Sequence, residues 1–444
     1  MDYEEFFSFA YQDIYKYILI AIFLFVSQYV LVRRFCIGGI LDPFHIIYTF
    51  TYATSYAVVG LLWLGGYVES HIFIMLLVYG ILFLFSLKIL EYSGSECSRI
   101  TYIFRGLVNA NGSSFAVGCI TLIYILLTMT LIHSKGFSLF STTNRFEDNK
   151  GIGPAVRFWE YSSYFITAYL SISFYKASNA FKRKVIAIGL ISYIVFNSVI
   201  SGAKSDVLLY GLACFYAQSI FHGKPTYKLK HIFYISLFGL SAIFCVLYFN
   251  FSSTLNAESE FADIFRSLFI RFTDRILSNG DVYYMGLPYD VIENIKIDNF
   301  FVILFAPLLG VSVLSSIAGY DVSSFELGRQ ILLYHYPLHD IAGGPTDHFD
   351  LFAYKFFGYA GGLFVIFIGI YIYVIRMIIK SGRSNHYLSA VYTVLWFNVI
   401  SILLKPGMLL SALLLPCMFF VFIGLLCRVL TINGDVDGKK ANNI

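Results

Sequence analysis

Long apolar runs recur along almost the whole chain, and they constrain its fold more than any other feature of the sequence. Charged residues make up only 13% of the 444 residues, about half the usual share, which leaves too few to cover the surface of a water-soluble protein. We therefore expect an all-α polytopic membrane protein whose spans are about 20 residues long. Hydropathy predicts about eleven of them, at 14–32, 44–64, 71–89, 115–133, 156–175, 185–201, 206–222, 231–250, 353–375, 387–404 and 407–427.

Charge excludes two other classes of protein. A disordered chain needs low hydrophobicity and high charge, which is the reverse of this composition. The net charge of +4 is small and its basic residues are dispersed, so we expect no nucleic-acid partner. The natural partner of such a chain is a lipid bilayer.

The basic residues predict how the spans are oriented. Arg33 and Arg34 follow the first span, and short loops rich in Lys and Arg face the cytoplasm. The acidic N-terminus should then lie outside and the C-terminus inside. Alternating the spans from there predicts a bundle of about eight spans over 1–250, a large outer loop over 251–352, three spans over 353–430 and a cytoplasmic tail over 431–444. The further basic residues that fall on the inner side are Lys88, Arg99, Arg105, Lys176, Lys182, Arg183, Lys184, Lys224, Lys228, Lys230, Arg376, Lys380, Arg383, Arg428, Lys439 and Lys440.

A shorter apolar segment, 300–318, lies inside the large outer loop. Pro307 and Gly310 interrupt it, and a single crossing here would move the basic residues after the next span to the outside. We interpret it as re-entrant or as lying on the outer surface, where a broken helix is tolerated if protein or a water cavity covers it. The alternative is one half of a pair of spans.

The large loop begins with an amphipathic stretch over 258–281. Phenylalanine and isoleucine recur there every three or four residues, which predicts a helix along the membrane interface. Arg271 and Arg275 share one face of it. They fit a clamp for a diphosphate, since guanidinium groups match phosphate oxygens. They equally fit anchoring to lipid headgroups or pairing with Asp263 and Asp274.

The loop ends in a polar segment, 334–350, that holds three of the nine histidines and three carboxylates. A histidine beside an aspartate suits a general base and the residue that orients it. The candidates are His339, Asp347, His348 and Asp350. The same residue types suit a metal site, or simply a packed polar loop, and spacing alone leaves the three alternatives open.

Two shorter outer loops carry further candidates for anion or substrate contact. Lys204 lies in the hairpin 201–206, where a glycine nearby lets backbone and ammonium meet an anion together. Arg145 lies in the charged segment 142–151. Both residues could equally belong to solvated loops.

The motifs near the last three spans resemble those of the Wzy-type polymerases of lipid-linked oligosaccharide repeat units, which build O-antigen and capsule chains. In that family a Gly-Gly-Pro-Pro/Thr segment is followed by a tyrosine and an Asn-Phe-Gly-like turn into a span. Here residues 343–346 read Gly-Gly-Pro-Thr, and Tyr354 and the Phe-Gly pair at 357–358 follow. Residues 201–205 resemble the family's Ser-Gly-Arg/Lys-Ser turn, and 41–44 its Ser-Pro-hydrophobic opening.

The resemblance implies an all-helical, GT-C-like glycosyltransferase in the bacterial inner membrane with a large periplasmic loop of amphipathic or re-entrant helices. Its substrate would be an oligosaccharide on undecaprenyl diphosphate, and the growing glycan would pass to the non-reducing sugar of a new lipid-linked unit. The leaving group is then a lipid diphosphate, so positive charge should stabilise it. A chain-length regulator is a further possible partner, and related polyprenyl-dependent transferases imply no metal or other cofactor.

The resemblance also implies roles for particular residues. The candidates for contact with diphosphate or glycan are Arg271, Arg275, Lys204, Arg145 and Tyr354. The candidates for the base that activates the acceptor hydroxyl are His348, Asp347, Asp350 and His339. The family often has Gly-Glu shortly before the tyrosine, where this chain has Leu351-Phe352. If that acid works in relatives, one of the candidate bases must replace it.

Three other functions compete with this one. An O-antigen ligase shares the topology and the arginine chemistry but uses a different acceptor. A flippase of lipid-linked oligosaccharides would normally lack a 100-residue outer loop. A transporter of small solutes should place acids in mid-span, and the sequence shows none there.

Overall fold

The computed structural model describes residues 1–92, 98–110, 113–137, 151–202, 206–225, 261–340 and 343–441, with single positions at 230, 237 and 241. Every regular element in this part of the chain is helical, as expected. The helices before the large loop are α1 (Tyr3–Gln12), α2 (Ile14–Val32), α3 (Ala53–Leu64), α4 (Ser70–Tyr92), α5 (Ser98–Val108), α6 (Ser113–Lys135), α7 (Gly153–Lys176), α8 (Ala180–Ser201) and α9 (Asp206–His222).

The large loop and the last spans add shorter and more broken helices. They are α10 (Phe261–Leu277), α11 (Asp281–Gly286), α12 (Val291–Asn294), α13 (Phe300–Leu309), α14 (Val311–Ala318), α15 (Leu327–His335), α16 (Phe349–Phe357), α17 (Gly361–Lys380), α18 (His386–Ile400) and α19 (Ser411–Ala441). A π-helical stretch, His45–Tyr52, runs directly into α3. Helix α10 confirms the helix predicted from the phenylalanine stripe.

Within the described residues, eight helical segments are long and apolar enough to cross a membrane. They are Ile14–Val32, His45–Leu64, Ser70–Ile89, Ser114–Lys135, Ala180–Ser201, Phe349–Lys380, His386–Leu403 and Pro406–Leu430. Each corresponds to one of the predicted spans. The predicted spans 156–175 and 206–222 are helices α7 and α9, which are more polar or shorter, and 231–250 lies almost wholly outside the described residues. The polytopic class is thus supported, while the number eleven stays a prediction.

Helix α7 lies at the centre of the bundle, and this explains its modest hydrophobicity. It packs against α6, α8, α9 and α18. Its contact face is rich in small hydroxyl residues, of which Ser162, Ser163 and Thr167 are fully buried. The Ser163 and Tyr210 hydroxyls lie 2.9 Å apart between α7 and α9. Small residues allow helices to approach closely, and hydroxyls join them by hydrogen bonds, so α7 faces protein rather than lipid.

The span predicted at 353–375 is broken in the structure. Helix α16 ends at Gly358, whose φ of 53° belongs to the left-handed region that favours glycine. The Tyr79 hydroxyl on α4 donates to the Gly358 carbonyl, which satisfies a group freed by the break. The chain then resumes as α17, which packs against α4. The uninterrupted helix therefore starts at Gly361, eight residues later than predicted.

The ambiguous segment 300–318 forms the helix pair α13 and α14. Gly310 breaks the pair with a φ of 97°. With 10 and 8 residues, the helices are about 15 and 12 Å long, which is half the thickness of a hydrocarbon core or less. Helix α13 packs against α19 and the turn Pro406–Met408. This geometry supports the interpretation that the segment does not cross the membrane as a single helix.

The described helices place two sets of residues at opposite ends of the molecule. At one end, Phe6 of α1 stacks on Tyr284 of the large loop with ring centroids 3.9 Å apart. At the other, Arg376 near the end of α17 donates to the backbone carbonyls of Arg34 and Phe35. The N-terminus and the large loop therefore share one end, and Arg33-Arg34 lies at the other. Which end faces the cytoplasm stays a prediction.

Candidate functional site

Five ionisable side chains from separate segments gather at the end of the bundle that carries the large loop. We call them the polar cluster: Arg157 and Glu160 on α7, Glu326 before α15, Asp347 before α16, and Lys405 between α18 and α19. Each is exposed or half-buried. The positive charge of Lys405 acts on the carboxyl groups of Glu160, Glu326 and Asp347. The cluster is thus open at the protein surface, and its three carboxyl groups all lie within the influence of the Lys405 charge.

Tyr52 joins the two segments of the chain that carry Asp347 and Lys405. Its ring is buried, and its hydroxyl accepts from the backbone N–H of Phe349 at 3.2 Å. The same hydroxyl donates to the backbone carbonyl of Leu403. Asp347 and Lys405 each lie two residues from one of these anchor points. A single tyrosine on the π-helical stretch therefore sets the spacing between the carboxylate and the ammonium.

A close contact between two backbone segments positions Asp347. The backbone N–H of Gly328 donates to Asp347 Oδ1 at 2.8 Å. A Cβ atom on Gly328 would lie 2.0 Å from the Pro345 carbonyl oxygen, and one on Gly344 would lie 2.7 Å from the Gly328 carbonyl oxygen. Only glycine fits at this approach. The Gly-Gly-Pro motif is therefore packed directly against the start of α15.

The broken helix pair forms part of the surroundings of the polar cluster. The Arg157 guanidinium donates to the backbone carbonyl of Pro307 in α13. Gly407, two residues after Lys405, packs against Ile303 of the same helix. Segment 300–318 therefore links the two cations of the polar cluster through its backbone and apolar side chains.

The surroundings of Asp347 shift the pKa of its carboxyl. Burial raises the pKa of the Asp347 carboxyl to about 6, although the Gly328 N–H and Lys405 both oppose the shift. Asp281 lies nearby, and burial, together with the Asp347 charge, raises the pKa of its carboxyl to about 7 against the effect of its backbone N–H donors. A carboxyl with a pKa near 6 is ionised at neutral pH and still able to accept a proton.

A buried hydrogen-bond network lies directly beside the polar cluster. The carboxylate of Asp350 accepts from the hydroxyls of Tyr56 and Tyr283, each at 2.8 Å. His348 Nδ1 lies 3.1 Å from the Tyr283 hydroxyl. Because the Tyr283 hydroxyl donates its one hydrogen to Asp350, it can only accept from His348, and we assign the proton of His348 to Nδ1. Its Nε2 is then an acceptor, and it is buried with no hydrogen-bond partner in the described part of the chain.

This burial changes what His348 can do chemically. The side chain is fully buried, and burial lowers its pKa to about 3. The imidazole stays neutral between pH 5 and 8 and is a weak base. Its backbone has a φ of 47°, which is unusual for a residue other than glycine. His348 and Asp350 therefore fit a network that holds the start of α16, and Asp347 is the one of the three that reaches solvent.

The remaining predicted residues lie elsewhere. Half-buried His339 offers its backbone carbonyl to Arg329 at 2.6 Å. The Tyr354 hydroxyl donates to Glu293 at 2.7 Å and ties α16 to the end of α12. Arg271 and Arg275 are exposed on α10 beside Tyr3 of α1. Lys204 and Arg145 lie outside the described residues.

Sequence reasoning missed Lys405, Arg157 and Glu326 as members of a site. One signal was available, because Lys405 and Pro406 interrupt two adjacent apolar runs. A charge at that position costs free energy unless it has a function or a partner. Within the described residues, no three histidines, cysteines or carboxylates converge as metal ligands, so the structure adds no ligand set to the metal alternative.

The fold and this cluster define the class of the protein: an all-helical, multi-pass membrane protein with a charged site at one end of its bundle. Comparison with protein-family models, with curated proteins and with solved structures finds no match for the chain.

Proposed function

We propose that the chain is a membrane-embedded glycosyltransferase that joins undecaprenyl-diphosphate-linked oligosaccharide repeat units into O-antigen or capsular polysaccharide. The observation that carries the proposal is the pairing of an accessible base, Asp347, with an accessible cation, Lys405. The base directly follows the Gly-Gly-Pro-Thr segment of the polymerase resemblance. Glycosyl transfer from a lipid diphosphate needs these two functions side by side.

Asp347 is the proposed general base. Its carboxylate takes the proton of the acceptor sugar hydroxyl as that oxygen attacks the anomeric carbon of the donor glycan. The bond from the anomeric carbon to the diphosphate oxygen breaks, and the lipid diphosphate leaves with the electron pair. A pKa of about 6 keeps Asp347 ionised at neutral pH and able to hold the transferred proton.

Lys405 is the proposed cation for the leaving diphosphate. Among the described residues it makes no ion pair within 4 Å, so its ammonium can bind a ligand. Arg157 is the second cation of the polar cluster. Lys405 thereby takes the role first assigned to Arg271, Arg275 and Lys204. The position of Arg271 and Arg275 on an amphipathic helix suits contact with lipid headgroups.

One observation favours a second function, transport of the lipid-linked unit. Glu160 lies on the central helix α7 and belongs to the polar cluster. An acid on a helix of spanning length is typical of flippases and transporters. This function needs Glu160 but no base beside the acceptor hydroxyl, so variants of Glu160 and Asp347 separate the two proposals.

The test is the glycan ladder of cells that lack this gene. Complementation uses wild type, Asp347→Asn and Lys405→Gln, with Asp340→Asn and Lys296→Gln as controls that make the same changes at exposed residues of the large loop. We expect deletion to leave a single repeat unit on the lipid anchor and wild type to restore the ladder. Asp347→Asn and Lys405→Gln should fail at normal protein level, whereas both controls succeed.

Other outcomes contradict the proposal. Loss of even the single unit on deletion, with rescue by Asp347→Asn but not by Glu160→Gln, would establish the transport function instead. An unchanged ladder after deletion would remove the glycan hypothesis altogether. Full activity of Asp347→Asn in an otherwise normal ladder would exclude it as the base.

A further inference from the structure

A second polar site lies at the opposite end of the molecule, beside Arg33 and Arg34. A cavity of about 320 Å³ opens there, and Tyr29, Arg33, Arg34, His45 and Lys224 line it. Arg376, near the end of α17, donates to the backbone carbonyls of Arg34 and Phe35 in this region. Asp347 lies just before the segment Phe349–Lys380 and so lies at the other end of the same span. The cavity is therefore separate from the polar cluster.

The charged side chains that line this cavity are basic. Arg33, Arg34 and Lys224 are exposed, and none of the described residues that line the cavity is acidic. Among the described residues neither arginine makes an ion pair within 4 Å. Lys224 Nζ donates to the Arg33 carbonyl at 2.7 Å, which fixes its ammonium at the cavity. Two guanidinium groups and one ammonium around a single space match the oxygens of a phosphate.

His45 supplies an independent indication of a ligand. Its side chain is only 6% exposed, and its Nδ1 lies 2.9 Å from Thr49 Oγ1. Its Nε2 is buried and has no hydrogen-bond partner among the described residues, and the ring lines the cavity. We assign the Thr49 hydroxyl as the donor to Nδ1, so that Nε2 carries the proton and is a donor for an anionic oxygen. A buried donor without an acceptor is costly unless a ligand supplies one.

The backbone around the cavity is preorganised. The buried Asp42 carboxylate accepts from the backbone N–H groups of Gly38 at 2.9 Å and Phe44 at 3.0 Å, and from Trp396 Nε1 at 3.0 Å. This fixes the turn that contributes Gly39 to the cavity wall. His45 opens a π-helical stretch, an irregularity often found at functional sites.

The surroundings of the cavity indicate a lipid as the source of the phosphate. Helix α2 leads to Arg33 and presents exposed apolar side chains, including Val26, Val30 and Leu31. Its apolar surface ends at the cavity, which places the cations at the level of the headgroups. We infer that this cavity binds the phosphate group of an anionic phospholipid headgroup through Arg33, Arg34, Lys224 and His45.

The test counts lipids bound to the purified full-length chain in detergent by native mass spectrometry. The probes are phosphatidylglycerol, phosphatidylcholine and inorganic phosphate, the last also as a competitor. The variants are Arg33→Gln/Arg34→Gln and His45→Asn. Lys182→Gln/Lys184→Gln is the matched control, because it removes the same charge from exposed residues outside the cavity.

We expect wild type and the control to bind one phosphatidylglycerol in preference to phosphatidylcholine. The arginine double variant should bind it about tenfold more weakly, and His45→Asn should also lose affinity while eluting normally on size exclusion. Equal binding by the arginine variant and wild type would overturn the inference, as would equal losses in both double variants. Binding of inorganic phosphate without retained phosphatidylglycerol would overturn the assignment of the lipid.

Discussion

Adjacent residues at the start of α16 have opposite chemical properties because their surroundings differ. Asp347 is half-buried next to Lys405 and is poised to accept protons, whereas His348 is fully buried and stays neutral. Asp350 is enclosed by two tyrosine hydroxyls. Of these three neighbouring candidates, Asp347 is the one whose side chain is not fully buried, and burial raises the pKa of its carboxyl to about 6.

The first prediction concerns the pH dependence of catalysis through Asp347. Its raised pKa means that the carboxyl is about nine-tenths ionised at pH 7 and about one-tenth ionised at pH 5. The rate of polymerisation by purified protein in vesicles should therefore fall roughly tenfold between these pH values. Asp347→Asn should lose about 100-fold or more in rate and show no inflection near pH 6.

The control for this profile is Asp340→Asn, which changes an exposed carboxylate in the same loop. It should keep both the wild-type rate and the inflection. An inflection near pH 6 that persists in Asp347→Asn would assign the titrating group elsewhere, with Asp281 the next candidate because its pKa is about 7.

At the scale of elements, breaks in helices build the site more than intact helices do. The turn between α18 and α19 presents Lys405, and the broken pair α13 and α14 supplies the carbonyl that holds Arg157. The contact of Gly328 with Pro345 places Asp347. Each break exposes backbone groups that protein must satisfy at membrane depth, which restricts them to places where segments meet.

The second prediction tests the contact between α15 and the Gly-Gly-Pro motif. In Gly328→Ala the new Cβ would lie 2.0 Å from the Pro345 carbonyl oxygen, so one segment has to move. We expect a loss of about 1–3 kcal/mol in stability, as for overpacking in a core, together with a large loss of polymerisation. Thermal unfolding in detergent and the glycan ladder measure the two effects.

Gly189→Ala is the matched control, because a Cβ at this position in α8 meets nothing within 4 Å. It should keep the wild-type ladder and be neutral or slightly stabilising in the helix interior. Normal stability and a normal ladder in Gly328→Ala would show that the motif does not depend on this approach.

At the scale of the whole molecule, the chain has two chemically different ends. The end with α1 and the large loop carries the polar cluster, and the end with Arg33, Arg34 and Arg376 carries the basic cavity. A polymerase that uses lipid-linked units needs its catalytic end on the outer face. The excess of Lys and Arg at the other end predicts that this end is cytoplasmic.

The third prediction is the sidedness of these two ends. Asp340→Cys in the large loop should react with a membrane-impermeant maleimide in intact spheroplasts. Lys182→Cys should react only after permeabilisation, and the wild-type chain provides the baseline from its own seven cysteines. Reversed labelling would place the polar cluster in the cytoplasm and exclude a role in periplasmic polymerisation.

The sequence by itself determined the helical class, most span positions and the short, broken character of segment 300–318. These follow from local hydropathy and from the need to satisfy every backbone hydrogen bond in lipid. Such properties depend on neighbours within one helix, so they can be deduced without knowing how helices pack. Hydropathy did not predict the break at Gly358 because the flanking residues stay apolar on both sides of it, whereas the resemblance matched the Phe-Gly pair at 357–358 to a turn before a span.

Only the tertiary structure decided which of the charged residues form a site. Tyr52 contacts both Phe349 and Leu403, which lie 297 and 351 residues further along the chain, and Gly328 reaches Asp347 from another segment. It is this packing that brings Lys405 to Asp347 and encloses His348 and Asp350. The Gly-Gly-Pro-Thr motif and Asp347 are neighbours in the sequence, but burial sets the pKa of each group, and burial depends on every segment packed around it.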